Sequence, residues 1–349
     1  MKKNINLVLI ICFSFLLVFT GCQSTTNTRS LRNTGPTGKV VIYTSIYEDV
    51  IEVLREDLKK QFPNIQVEFV YGGTGTLQAR VSSELAANRL GCDLLLVAEP
   101  SYSIELKERG ILHQYRSPQA SSLAFEYDRD GYWYPVRVSN MVLAYNPRLN
   151  ARNTVPNSFY DFAHSSSVKG AISMSNPLTS GTSMATVMAL HDKYGIDYFS
   201  ALGRQNITID SGSVALGKLE TGEYKVIMVL EEAVLKLQQE ERSRLEVIYP
   251  TDGTVVIPST IMIINDRYSA NKNTRAAEVI TDWFLSPEGQ NSIVSGWMHS
   301  VRDNFPRLPY GAIPTHEILN NAMPVNWDSF NIQRAIIQYA LEDAIFSYR

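Results

Sequence analysis

Three short stretches carry the residue types that can grip an anion. Thr44-Ser45-Ile46-Tyr47 follows the β-branched run KVVIY. Gly72-Gly73-Thr74-Gly75-Thr76 lies between the alternating run IQVEFV and a helical face of Leu77, Val81 and Leu85. Thr179-Ser180-Gly181-Thr182-Ser183 opens a helix marked by Met184, Val187 and Met188. Glycines let backbone N–H groups come close to a ligand, and hydroxyls add donors. A helix start contributes amides with no intrahelical acceptor and the positive end of the dipole. Taken singly, each stretch is also what an ordinary capped helix looks like. The chemistry requires a fold that brings several of them to one cleft. The candidate binding residues are therefore Ser45, Tyr47, Gly73, Thr74, Gly75, Thr76, Ser180, Gly181, Thr182 and Ser183, with Tyr47 as a wall.

Catalytic machinery fits poorly. The sequence holds no GxSxG elbow, HExxH pair or Walker loop, which disfavours a hydrolase. Asp192 beside His191 resembles half a dyad, but neighbours on a helix point apart. The five histidines are scattered without ligand spacing. Three cysteines exclude a disulfide framework and argue against a multi-cysteine zinc site, and Cys92, beside an apolar run, reads as a buried bystander.

The elements that must position the loops follow from hydrophobic spacing. Lys39 to Tyr43 is a strand, Glu48 to Gln61 a helix carrying Val50, Ile51, Leu54 and Leu58, and Ile65 to Val70 the next strand. Leu94 to Val97 is wholly apolar, as a strand covered on both faces should be. A second region begins near Trp133 with the β-rich run YPVRVSNMVLAY, and 158–250 again alternates helices and strands. After Thr254 comes the run VVIPSTIMII, then a helix from Thr274 to Leu285. The economical architecture is α/β and two-lobed, each lobe an open mixed sheet flanked by helices, with a cleft between the lobes. The expected division is a first lobe over 39–136, a second over 137–257, a return to the first over 258–305, and C-terminal helices over 306–349. The crossings are expected near 136–141 and 255–262. In such sheets ligands bind beyond the carboxyl ends of strands, where the three stretches lie.

Composition narrows the class. The chain has 349 residues, 44% hydrophobic and 19% charged, which excludes wholesale disorder. Its net charge of −3 argues against a nucleic-acid partner. Lys2 and Lys3 precede an apolar run from Leu7 to Phe19, then Thr20, Gly21 and Cys22. This reads as a secretory signal over 1–21 with lipidation at Cys22, and 22–38 as a polar tether. Loss of the two lysines leaves 30 basic residues against 35 acidic.

KVVIYTS, YGGTGTLQARV, CDLLLVAEP, NPLTSGTS and SGSVALGKLETGEY, together with the lipobox, resemble one family. It is the class II extracytoplasmic solute-binding proteins of ABC importers, in the branch of ferric-iron, phosphonate and hexose-phosphate binders. The resemblance spans Lys39 to about Pro306. It implies the type II periplasmic-binding-protein fold, hinge closure on a ligand, and no catalysis or cofactor. It also implies a monomer anchored by lipid outside the cytoplasm that delivers its ligand to membrane permease subunits.

The family's iron binders place an adjacent tyrosine pair after a strand. Here the matching position, after Lys225 to Leu230, reads Glu231-Glu232-Ala233. No metal site is therefore expected, and ferric ion is the alternative reading. The Ser-Gly-Thr helix start then implies a cradle for the ligand's phosphoryl group, with Arg137 as its cation. Ser213, in the SGSVALG segment, adds a hydroxyl, and Glu231 and Glu232 would meet the far end of a sugar phosphate or a phosphonate. Strand and helix phases conflict at that pair, so which of the two faces the cleft stays open. A surface adhesin without a ligand would have little use for three donor-rich loops.

Overall fold

The computed structural model describes residues 35–346. The expected signal segment and the expected lipidation site at Cys22 lie outside them, as does all of the expected tether but its last residues. No helix among the described residues is long and apolar enough to cross a membrane.

The first half runs β1 (Gly38–Thr44), α1 (Glu48–Gln61), β2 (Ile65–Tyr71), α2 (Thr74–Ala86), β3 (Leu94–Ala98), α3 (Ser101–Glu108) and β4 (Trp133–Tyr145). The middle runs α4 (Phe159–His164), β5 (Ile172–Ser175), α5 (Gly181–Tyr194), α6 (Asp197–Arg204), β6 (Thr208–Asp210), α7 (Gly212–Thr221), β7 (Val226–Leu230), α8 (Glu231–Glu240) and β8 (Glu246–Ile248). The chain closes with β9 (Val255–Ile263), α9 (Thr274–Leu285), α10 (Pro287–Ser295), α11 (Thr315–Asn320) and α12 (Trp327–Phe346).

The strands are ordered β2-β1-β3-β9-β4-β7-β5-β6, with β8 beside β4. β1 pairs in parallel with β2 and β3, and β5 in parallel with β6 and β7, as βαβ units require. β4 and β9 are the long antiparallel members. β4 pairs with β9 from Trp133 to Met141 and with β7 from Met141 to Tyr145. A register shift between Pro135 and Arg137 bends β4, and opposite Val138 stands Pro258, which has no N–H to give.

Two sets of cores give the two lobes. One is built from β1, β3 and α1 with α9, around Val40, Ile42, Leu54, Leu96, Ile280 and Phe284. The other gathers α4, α5 and α6, with Phe159, Phe162, Leu190 and Phe199, and takes in Phe330 and Leu341 of α12.

Local chemistry explains the helices. α1 buries Val50, Ile51, Leu54 and Leu58 on one stripe, and carries acids in its first turn and lysines in its last, matching its dipole. α5 is buried through its first ten residues, because its Gly, Ala, Ser and Thr let neighbours close in. Its hydroxyls are satisfied within the chain: Thr186 donates to the Thr182 carbonyl, and Ser183 to that of Ser175. The helix α9 spans Thr274 to Leu285, as its periodicity indicates, whereas α3 and the three-residue β8 have no clear signal of their own.

Candidate functional site

The carboxyl ends of β1, β2, β5 and β7 lead into α1, α2, α5 and α8 around a single cavity of about 1410 Å³. α7, which follows β6, presents its start there as well. Five helix N-termini therefore surround one space. Each leaves its first amides without an intrahelical acceptor and turns its positive end inward. α1 and α8 carry acids in their first turns, whereas α2, α5 and α7 carry none, so it is these three starts that suit an anion.

Eleven residues singled out in the sequence line this cavity: Ser45, Tyr47, Gly73, Thr74, Thr76, Arg137, Ser180, Gly181, Thr182, Ser213 and Glu232. Ser45 keeps a buried hydroxyl with no partner, so a donor and acceptor stand ready there. Ser180 caps α5 by accepting from the Ser183 amide at 3.2 Å, and its hydroxyl lies 3.0 Å from that of Thr182. Thr74 accepts from the Ala98 amide at 3.2 Å, which ties α2 to the end of β3.

Gly75, Ser183 and Glu231 do not line the cavity. The Gly75 amide donates to the Thr179 carbonyl at 3.1 Å, joining the loop before α2 to the loop before α5. The glycines permit this approach. A Cβ on Gly73 would meet the Thr179 carbonyl oxygen at 2.5 Å, and one on Gly181 would meet Thr74 Cβ at 2.7 Å. The two loops that bring donors from opposite lobes are thus in direct contact. Glu231 turns away toward a buried network: it accepts from Asn140, meets His299 Nε2 at 3.0 Å and takes the Tyr249 hydroxyl. Glu232, one residue later, faces the cavity and accepts from Ser139 at 2.7 Å.

Arg137 is the buried cation of the site, 2% exposed. Its guanidinium donates to Ser259 Oγ at 3.0 Å, to Met298 Sδ at 2.8 Å and to the Ser45 carbonyl at 3.3 Å. Its one nearby carboxylate, Glu232, stands 4.0 Å away. Burial pulls the Arg137 pKa down and pushes that of Glu232 up, so each charge is held at a cost. Tyr47 and Tyr71 border the same space, and burial raises both phenols. Among the described residues no three His, Cys, Asp or Glu side chains gather as a metal ion would need.

Sequence reasoning left out several lining residues. Asp49 on α1 and Lys236 on α8 form an ion pair from one wall of the cavity to the other. Asn176, Asp210 and Trp297 also border it. Only the strand-to-helix rule could have suggested Asn176 and Asp210, and nothing local marks the Asp49–Lys236 pair. Arg302 donates to the Leu285 carbonyl at 2.6 Å and closes the end of α9, outside the cavity lining.

A family model described as bacterial extracellular solute-binding protein matches residues 92–331. No curated protein matches the sequence. Several solved structures share the fold. Iron-bound HitA from Pseudomonas aeruginosa aligns with TM-score 0.76 and 20% identity, over 88% of this chain and 99% of that one. AfuA from Actinobacillus pleuropneumoniae, with exogenous fructose-6-phosphate bound, aligns with TM-score 0.76 and 20% identity, over 88% and 98%. A periplasmic thiamin binding protein aligns with TM-score 0.74 and 16% identity, over 89% and 99%. At these identities the likeness is one of fold.

Proposed function

The chain belongs to the bacterial extracellular solute-binding proteins, and from that premise we propose that it captures a small phosphorylated organic anion, a sugar phosphate or a phosphonate. As a solute-binding protein of an ABC importer it works outside the cytoplasm and hands a small ligand to permease subunits. In this reading it is not an enzyme, and Cys22 carries the lipid that keeps it at the membrane.

The observation that carries the ligand assignment is that the donor-rich starts of α2, α5 and α7 line the same cavity as the buried Arg137. Ser180, Gly181 and Thr182 from α5, with Gly73, Thr74 and Thr76 around the start of α2, would surround the phosphoryl oxygens. Arg137 would supply the full positive charge that amides lack. Ser45 and Ser213 add hydroxyls, and Glu232, 4.0 Å from Arg137, would neighbour the phosphoryl group itself rather than the ligand's far end. The lobes close over the ligand by a hinge motion. Gly75 and Ser183 support the site by shaping the loops, and Glu231 by holding α8.

Ferric ion is the reading that competes. A hard trivalent ion favours phenolate oxygens, and although Tyr47 and Tyr71 border the cavity, the position after β7 reads Glu231-Glu232 and holds no tyrosine pair. A thermal-shift panel separates the two. A ligand at 100 times its dissociation constant stabilises the fold by about 2.7 kcal/mol. Sugar phosphates or phosphonates should raise the melting temperature by several degrees, and ferric citrate should not. A shift with ferric ion alone, with a coloured protein, would overturn the proposal.

A further inference from the structure

Resting on the phosphoryl reading above, we propose that Trp297 is the ring-stacking wall of this site. The cargo is then a phosphate ester built on a ring, rather than an acyclic phosphate or phosphonate.

The first observation is backbone geometry. Trp297 has φ +60°, in the left-handed region that bulky side chains avoid. Such conformations persist where surrounding structure enforces them, and they gather at binding sites. Here the enforcement is visible. The Trp297 amide donates to the Val294 carbonyl at 3.1 Å. Gly296 packs so tightly on α1 that a Cβ there would meet Val50 Cγ1 at 2.8 Å. Met298 accepts from Arg137. The turn after α10 is therefore pinned to α1 on one side and to the buried cation on the other, and the residue between them lines the cavity.

The second observation is the company Trp297 keeps. Tyr71 ends β2 in register with Thr44, and Tyr47 follows Thr44 to stand immediately before α1. Val50, on the first turn of that helix, touches Gly296. Tyr71, Tyr47 and Trp297 all line the cavity, and the turn that carries Trp297 packs on the helix that Tyr47 precedes. The anion donors of α5 and α7 come from the other lobe. Trp133 and Trp283, by contrast, are packed in the cores. An aromatic wall beside a buried guanidinium suits a flat ring carrying an anionic group. A short acyclic phosphate would leave that wall wet.

The shared chemistry is a ring face, and the ring can be aromatic or a sugar. Titration calorimetry with phenyl phosphate, fructose-6-phosphate and glycerol phosphate separates the sources. The wild-type chain should prefer at least one ring-bearing probe over glycerol phosphate. Trp297→Gly removes the ring and relieves the left-handed backbone, so its melting temperature should hold. Its affinity for the preferred ring probe should fall about tenfold, with glycerol phosphate unchanged. Trp297→Phe should restore most of the loss. Equal losses for ring and acyclic probes, or no loss at all, would overturn the proposal. The double variant Ser180→Ala with Thr182→Val tests the underlying reading separately. If it abolishes binding of all three probes while Trp297→Gly changes nothing, only the stacking wall fails. If it leaves all three unchanged, the phosphoryl site itself fails.

Discussion

Arg137 and Glu232 are both almost completely buried, 4.0 Å apart, and neither hydrogen-bonds the other. The cation leans on a thioether, a hydroxyl and a carbonyl, and the carboxylate on Ser139. An arriving anion would complete Arg137 and be repelled by Glu232. Replacing Glu232 with Gln should therefore tighten binding of a phosphorylated anion about tenfold, measured by calorimetry. Arg137→Lys should weaken it, because an ammonium cannot reproduce the planar fork.

The same pair sets a pH dependence. Burial raises the Glu232 carboxyl above its ordinary value, so the folded chain favours the protonated form. That contribution to stability is present at low pH and lost as pH rises through the raised value. Anion affinity should follow the same direction, falling as Glu232 ionises. Comparing wild type with Glu232→Gln on one ligand cancels the ligand's own titration. A pH slope that is identical in the two proteins would remove Glu232 from the site.

Gly75 should act on closure rather than on folding. Its amide joins the Thr179 carbonyl, and a Cβ at this position would overlap the Leu178 carbonyl. Gly75→Ala should leave the unliganded melting temperature nearly unchanged, since the loops can part. It should weaken ligand binding by about tenfold or more, the loss of one or two close contacts. Small-angle scattering should show the liganded variant more expanded than liganded wild type.

Glu231 should matter for stability. It is 1% exposed and tied to His299, Tyr249 and Asn140. Glu231→Ala should cost about 1–3 kcal/mol in urea unfolding, as leaving buried hydrogen-bonding partners unsatisfied does. His299→Ala should couple to it non-additively.

Arg334 on α12 offers a test of the C-terminal helix. Its guanidinium forks to Gln78 at 2.6 Å and to the fully buried Glu99 at 2.6 Å. Lysine keeps the charge but cannot hold both acceptors. Arg334→Lys should lower stability by about 1.5–3 kcal/mol in the same urea assay, a typical worth for a charge-assisted hydrogen bond. No change would mean that α12 is held without this fork, by its apolar face and by Asn331, which donates to the Ser101 carbonyl at 2.6 Å.

How much could be read without coordinates varied with the range of the interaction. The helix from Thr274 to Leu285 and the strand after Thr254 were legible because their patterns are local and strong. So were the donor-rich loops, since strand-to-helix turns announce themselves by Gly, Ser and Thr. Glu231 and Glu232 were not separable, because Leu230 ends a strand with period two where a helix of period 3.6 begins. That the Gly75 amide is already taken by Thr179 follows from the approach of two distant loops, which composition does not encode. Asp49 and Lys236 meet for the same reason. Trp297 carries its information in a backbone angle, and no residue type announces that.

The two long strands that pass between the lobes have a mechanical consequence. β4 and β9 are hydrogen-bonded to each other over most of their length, so the waist of the molecule is a ribbon and not a pair of slack cords. A ribbon flexes readily out of its plane and resists shear within it, which confines opening to a narrow range of trajectories. It is weakest where the register slips at Pro135–Arg137 and where Pro258 withholds a donor. Arg137 is part of that soft segment. Capture of cargo and flexure of the ribbon thus act on the same few residues, so a load at the binding end is felt at once by the spring.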